Sequence, residues 1–444
     1  MTSQDAGFAP LARFNREHQH AACQPFHIAV ERPDGAAVRH ALIHGTPERF
    51  DDDVYFVRQA VKALLWARGG YRVLLSGDEA VCRAVTAIFA PDGERAFDAD
   101  FMSGVYGRPF SVERVDAVPE PWDSPRAVGG HTGGCRIGFD AGGSDRKAVA
   151  MMDGAVVYAE EVPWSPKDAR LLAYHCDGIM AGLRSAAAHL PRVDAVGVST
   201  AGICVENRVV RSALFGKIPP EDFDPGIFSG IASIMFGDVP CAVVNDGDVS
   251  ALAGAAMLGE TDVLGIAMGT SLAAGYVDSK GRITGWLNEL AFVPVDAAPD
   301  APVDPWSGDR GCGVSCLSQE AVIRLANAAG IPLGSALSPA EKLAAVQMLA
   351  ERNDGRALAI FDTVGMYLAH ALAQYHELYS FRHVLLQGRV TSGVGGERIL
   401  ARCRAVLAEE YPDLTLCAAL HLPGEAQRRT GQAEAAAMLP PDHR

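Results

Sequence analysis

The sequence has little of what marks several large classes of protein. No uninterrupted apolar run is long enough to span a bilayer. The stretch from Met1 to Arg16 is largely polar and lacks the apolar core of a signal peptide. The 10 cysteines are scattered from Cys23 to Cys417 instead of forming a dense framework, and a chain of 444 residues does not need one. These features lead us to expect a cytoplasmic protein with reduced thiols and no membrane partner. Short-period repeats and low-complexity tracts are absent. Positive charge is in deficit: 39 Lys and Arg stand against 54 Asp and Glu, a formal net charge of -15. Such a surface repels nucleic acid and anionic membranes. It does not forbid a nucleotide, which local backbone amides hold against the global field.

What is present allows a sizeable core. Hydrophobic residues make up 49% of the chain, and its length suits two or three domains. Phe26–Glu31 and Ala37–Ile43 read as strands joined by the turn Pro33-Asp34-Gly35. Val54, Val57, Val61, Leu64 and Leu65 keep helical spacing up to Gly69-Gly70, Tyr71–Leu75 is a short strand, and Glu79–Phe89 a helix. After a Pro- and Gly-rich linker from Pro119 to Gly134, the pattern changes to strands at Arg136–Asp140, Lys147–Met152 and Ala155–Glu161. A helix near Asp168–His189 follows, then apolar strands at Val193–Ser199, Cys241–Asn245 and Val263–Met268. Helical patterns dominate from Ser318 to Leu378, before a strand at His383–Leu386 and a last helix near Gly396–Glu410.

Four short motifs carry chemistry. In Asp140-Ala141-Gly142-Gly143-Ser144-Asp145-Arg146-Lys147 a strand delivers a carboxylate into a tight hairpin. Its glycines let amides approach an anion, and the Ser144 hydroxyl adds a donor. A carboxylate beside phosphate is repelled unless Mg²⁺ intervenes, so Asp140 suits a ligand to metal-bound water. The bland alternative is an ordinary hairpin turn. In Asn245-Asp246-Gly247-Asp248, at a strand end before a small-residue helix, a carboxylate suits a general base, while Asp and Asn are also good helix N-caps. Met268-Gly269-Thr270-Ser271 again offers amides and a hydroxyl to phosphate, or is another hairpin. Gln387-Gly388-Arg389 lies between a strand and a helix, where glycine lets a flat base or ribose lie on backbone.

The order of these pieces, with Gly197-Val198-Ser199-Thr200-Ala201-Gly202 between the first two, resembles the ROK family of repressors and sugar kinases over about Arg136 to Pro440. Thr430-Gly431-Gln432-Ala433 resembles the start of that family's C-terminal helix. The resemblance implies an α/β, two-lobed actin-like ATPase (ribonuclease H-like) fold with a cleft between the lobes. An N-terminal α/β extension and linker would take residues 1–130, and the lobes 131–250 and 251–444. It implies an enzyme that phosphorylates a sugar or polyol with ATP and Mg²⁺, with Asp246 as general base. Acceptor binding would fall to Asn245, Glu289, Ser199 and either Gln319 or Glu320. ATP binding would fall to Asp140, Gly142, Gly143, Ser144, Lys147, Gly269, Thr270 and Gly388. A homodimer is expected from the same resemblance.

Two departures stand out. The second phosphate loop continues Ser271-Leu272-Ala273-Ala274 where the family is richer in glycine. The family's zinc site needs a histidine three residues after the Glu289 position, and the chain has Phe292. Cys312 and Cys316 alone do not complete a tetrahedral site, so zinc is not expected. The acidic charge and the strand–strand–helix–strand–helix start do not suit a DNA reader. A non-catalytic sugar or nucleotide sensor on the same fold is the rival reading. A serine hydrolase using Ser199 as an elbow nucleophile is the third, and it lacks the His/Asp order that such enzymes need.

Overall fold

The computed structural model describes residues 5, 7–124, 129–422 and 431–441. In chain order it begins α1 (Leu11–Ala21), β1 (Gln24–Arg32), β2 (Gly35–Ile43), α2 (Phe50–Arg68), β3 (Arg72–Ser76), α3 (Glu79–Ile88), α4 (Ala96–Tyr106), β4 (Ser111–Arg114) and β5 (Trp122–Asp123). It continues β6 (Cys135–Ala141), β7 (Asp145–Met152), β8 (Ala155–Pro163), α5 (Leu172–Ala187), β9 (Ala195–Thr200), β10 (Ile203–Val205), β11 (Arg208–Arg211), α6 (Ile227–Phe236), β12 (Cys241–Asn245) and α7 (Asp246–Leu258). Then come β13 (Val263–Met268), β14 (Leu272–Val277), α8 (Gly313–Leu317), α9 (Gln319–Ala328), α10 (Pro339–Glu351) and α11 (Gly355–His376). The last elements are β15 (His383–Gln387), α12 (Gly393–Glu410), α13 (Pro412–Cys417), β16 (Ala419–His421) and α14 (Gly431–Ala437).

Contacts divide the chain into two compact units. The first takes residues 1–124, 266–274 and 286–422; the second takes 125–265, 275–285 and 423–444. The N-terminal segment, expected from sequence to stand apart, is therefore grouped with the chain's later half. Thr430 and residues 125–128 of the expected linker lie outside the described residues.

Within the first unit, β4-β3-β1-β2-β5 form one sheet. The β1–β2 hairpin runs in register from Gln24↔Ile43 to Arg32↔Gly35. The sheet order β14-β13-β15-β16 makes another, with the unit boundary falling inside β13 and β14. Sequence periodicity reads α2 as amphipathic, yet every residue from Gln59 to Ala67 is buried, Lys62 included. That helix is covered all round, so its charged and amide groups need internal partners. Helix α1 was not visible in the sequence because half of its buried face is polar. Asn15 Nδ2 donates to Gln374 Oε1 at 2.8 Å, and His18 Nε2 lies 2.9 Å from Asp53 Oδ1.

Asp53 anchors this corner. It accepts the backbone N–H groups of His44 and Gly45, and the ring nitrogens of His18 and His44 reach the same carboxylate. Burial depresses the His18 pKa, and burial drives that of His370 down to about 4. A histidine held neutral in the fold binds fewer protons than in the unfolded chain, so stability is lost as pH falls below the unfolded value near 6.5. Taken as the difference between wild type and His370→Gln in denaturant unfolding, the His370 share of stability should fall by about 1–3 kcal/mol between pH 7.5 and pH 4.5. The His370→Gln variant should flatten that slope; a variant that leaves it unchanged excludes His370 as a source.

The second unit is built on the sheet β12-β9-β6-β7-β8. Strands β6, β9 and β12 are parallel neighbours, with Asp140 paired to Ser199 and Asn245 to Thr200. Ile137, Phe139, Ala141, Val196, Val198 and Val243 point to one face and form the core with α5 and α6. On the other face, Gly138 and Gly197 let α14 lie on the sheet: a Cβ at either would come within 1.8 Å of the carbonyl of Ala433 or Ala436. Side chains alternate along a strand, so Asp140 and Ser199, two residues on from those glycines, share the α14 face.

Candidate active site

The carboxyl ends of parallel strands are where α/β sheets place ligands, because loops and helix N-termini open there. At the end of β6, Asp140 is buried at 3% exposure and accepts the Ser199 hydroxyl at 2.8 Å. Lys147, returning on β7, donates to Asp145 at 2.7 Å and lies 3.5 Å from the second Asp140 oxygen. Burial pushes the Asp140 pKa up, against the opposing pull of Ser199 and Lys147. The hairpin carrying Gly142 and Gly143 is braced from behind, with Trp164 Nε1 donating to the Gly142 carbonyl at 2.8 Å. A Cβ on Gly143 would meet Lys167 Nζ at 3.0 Å, so that lysine lies over the turn. Ser144 is exposed and donates to Asp145.

At the end of β12 the two readings of Asn245-Asp246 separate. Asn245 is the N-cap of α7: its Oδ1 accepts from the Gly247 amide at 2.7 Å, and its Nδ2 donates to the Gly202 carbonyl at 2.7 Å. Asp246 is the first helical residue and half-buried. Its carboxyl is pushed up to about 7, first by burial and then by the Asp140 charge, with the charge of Lys167 pulling it back. A carboxylate near pH 7 is poised to take a proton, which an ordinary surface Asp is not. Beyond it, Asp248 accepts the Tyr276 amide, and Gln432 Nε2 donates to the Asp246 carbonyl, fixing the start of α7.

Ser199 does not sit at a nucleophile elbow. It lies inside β9, which leads into the β10–β11 hairpin instead of a helix, and its buried hydroxyl is committed to Asp140. The hydrolase reading is therefore withdrawn. As an acceptor contact Ser199 is covered too; it orients Asp140.

The remaining candidates lie in the first unit. Gly269 and Thr270 form the turn between β13 and β14, with Thr270 exposed. The Gly269 carbonyl accepts the Gln319 amide at 2.9 Å, so this turn abuts the start of α9. Gln319 is buried and Glu320 is exposed, which separates the two residues that sequence left equivalent. Gly388 has φ +92°, and a Cβ there would come within 2.3 Å of the Met268 carbonyl. Its glycine is required by the backbone of β13, whatever else lies against it. Glu289 is half-buried, and its amide donates to the Trp66 carbonyl at 2.9 Å.

Carboxylates that fit a Mg²⁺ ion are present. Asp140 and Asp246 are hard oxygen donors in electrostatic contact, and one or two carboxylates plus substrate phosphates make a usual Mg²⁺ site. Zinc does not fit. Phe292 is buried among rings, and burial pushes the Cys312 thiol up to about 12 and the Cys316 thiol well above its ordinary range. Among the described residues no third donor joins these two thiols in a group that could hold a metal, and two thiols alone do not make a structural zinc site. Sequence reasoning missed Lys167, because a lone lysine after Ser165-Pro166 carries no motif.

No family model matches the sequence, and no curated protein matches it. Solved structures do. A ROK hexokinase from Thermus thermophilus is 21% identical, with a TM-score of 0.54, covering 69% of this chain and 97% of that one. A ROK family glucokinase from Streptomyces griseus, solved with glucose and AMPPNP, is 22% identical, with a TM-score of 0.50 over 69% and 99%. A ROK family transcriptional regulator, a homolog of the E. coli MLC protein, is 18% identical, with a TM-score of 0.55 over 80% and 87%. At these identities the likeness establishes the fold: this chain has the mixed α/β, actin-like ATPase fold of ROK proteins.

Proposed function

We propose that the chain is an ATP-dependent carbohydrate kinase. The observation that carries this reading is Asp246: a carboxylate at a helix start, raised to about 7, next to a second buried carboxylate and two lysines. The acceptor hydroxyl gives its proton to Asp246 as its oxygen forms a bond to the γ-phosphorus, and the bond from that phosphorus to the β,γ-bridging oxygen breaks to release ADP. Most of the acceleration in such transfers is positioning and charge stabilisation. The hairpin amides at Gly142 and Gly143 face the phosphates, with Lys147 and Lys167 as the nearby cations. Mg²⁺, held through water near Asp140, would neutralise phosphate charge when bound. Asn245 Nδ2 carries a second N–H beyond the one given to Gly202 and would offer it to an acceptor hydroxyl, and Glu289 would hold another. Two carboxylates crowded at this end of the sheet are unfavourable in a protein that only binds sugar, which supports catalysis over sensing.

The test is ATP depletion against a panel of hexoses, amino sugars and polyols with Mg²⁺ and no added zinc. Acceptor-dependent ADP release well above the ATPase background is expected. Tight ATP binding with no release on any acceptor would shift the assignment to a sensor.

A further inference from the structure

Where the resemblance places a metal-binding histidine, Phe292 lies against Trp66 of α2, with ring centroids 4.2 Å apart. Phe97 and Phe101 of α4 and Trp306 of the following loop complete the cluster, at centroid distances of 4.7 to 6.5 Å. The same helix holds the loop by its backbone. A helix leaves its last carbonyls open, and those of Trp66 and Ala67 accept the amides of Glu289 (2.9 Å) and Asn288 (3.0 Å). Arg68 stacks its guanidinium 3.4 Å from the centre of the Trp286 ring. At the loop's far end, Asp309 is bound by Lys62 and Arg95, both buried. Asn288 takes φ +55° here and accepts from the Tyr379 hydroxyl at 3.0 Å. All of these residues belong to the first unit.

We propose that the N-terminal segment replaces a structural metal: α2 and α4 fix the Trp286–Cys316 loop, and with it Glu289, through a ring cluster and helix-end hydrogen bonds. Trp66 is then a positioning residue for acceptor binding, a role that rests on the kinase reading; the fixing of the loop itself does not. A metal site ties a loop at a few ligand atoms. Here the same stretch is tied to α2 at Trp286, Asn288, Glu289, Phe292 and Asp309, and to α4 at Trp306. The extension thus acquires a function that neither its composition nor its own fold suggests.

The test is amide hydrogen exchange on the full-length protein, wild type and variants, with and without chelator, together with its zinc content. In Trp66→Ala, amides across 286–316 should exchange about 10-fold or more faster, while β6 and β9 keep wild-type protection. Trp66→Phe, which keeps a ring, should restore most of the protection. Chelator should change nothing, and the protein as purified should carry substoichiometric zinc. In the kinase assay, Trp66→Ala should raise the acceptor KM with the ATP KM unchanged. If Trp66→Ala unfolds throughout, Phe97→Leu at the half-buried edge of the cluster reads the same contact. Unchanged exchange in the loop, loosening of the loop by chelator, or one equivalent of zinc that persists in His18→Ala, where the His18–His44–Asp53 group is broken, would each overturn the proposal. A protein with no kinase activity would sink the functional reading, yet leave the exchange result to decide this one.

Discussion

Replacing Asp246 with asparagine should lower phosphotransfer by about 10²–10⁴-fold, the usual contribution of a positioned general base. Binding of ATP and acceptor should stay within a few-fold of wild type, because the amide keeps the shape and Asn245 still caps α7. Two further readouts separate a base from a merely structural carboxylate. With the Asp246 pKa raised to about 7, wild-type kcat/KM for the acceptor should climb with pH through about 7 and level off above it. The residual activity of Asp246→Asn should lack that limb. Stability should move the other way. An acid whose folded pKa exceeds its unfolded value favours folding at low pH, and that stability is lost as pH rises through the folded pKa. At pH 8 the wild type therefore carries an ionised, half-buried carboxylate facing Asp140, and Asp246→Asn should be more stable by about 1–3 kcal/mol. A variant that keeps turnover within a few-fold removes Asp246 from the mechanism. One that loses both activity and stability makes it structural.

This end of the second unit was readable in advance because its chemistry is local. A strand followed by two glycines and a carboxylate within eight residues favours a tight turn, and Asp140 to Lys147 forms a hairpin. Asn245-Asp246 after an apolar strand leaves two options, a cap or a base; the structure makes Asn245 the cap, and the base is the role we propose for Asp246. What sequence could not supply is the relation between segments far apart in the chain. Asp140 meets Ser199 because β6 and β9 are parallel neighbours in one register. Lys167 comes to the hairpin only by the return of the chain after β8. Burial and the Asp140 charge raise the Asp246 pKa while Lys167 pulls it back, and no spacing along the chain encodes that convergence.

The N-terminal segment was harder to read for a different reason. Its strands and α2 follow simple alternation and helical spacing, and they appear where periodicity predicts them. Helix α1 does not, since Asn15 and His18 are buried on it and look like surface residues until Gln374 and Asp53 are seen opposite. Lys62 poses the same problem within α2. A lysine on a helix is ordinarily a solvated residue, and only the fold shows carboxylates waiting for it from 36 and 247 residues away. Grouping this segment with the later half of the chain rests on such pairings.

That makes Lys62 the residue whose loss should most damage stability. Its side chain is fully buried, with Nζ 3.0 and 3.2 Å from the two Asp98 oxygens and paired also with Asp309. Trp66 Nε1 donates to Asp98 at 2.8 Å, and Arg95 is the second cation on Asp309. Lys62→Met keeps most of the volume but leaves Asp98 with the indole N–H as its remaining partner among these groups. Removing one member of a buried ion pair costs about 3–5 kcal/mol, since the uncompensated charge stays behind. Denaturant unfolding followed by tryptophan fluorescence should show a loss of that size. Asp98→Asn alone should cost somewhat less, because the amide oxygen can still accept from Trp66. The double variant Lys62→Met/Asp98→Asn should recover a substantial part of the summed loss, since neither charge is then unpaired. Additive losses would mean that the two side chains act separately, and a loss below about 1 kcal/mol in Lys62→Met would place Lys62 in water. The expected non-additivity would show that the cation inside α2 belongs to the chain's core, binding the N-terminal segment to the Asp309 loop.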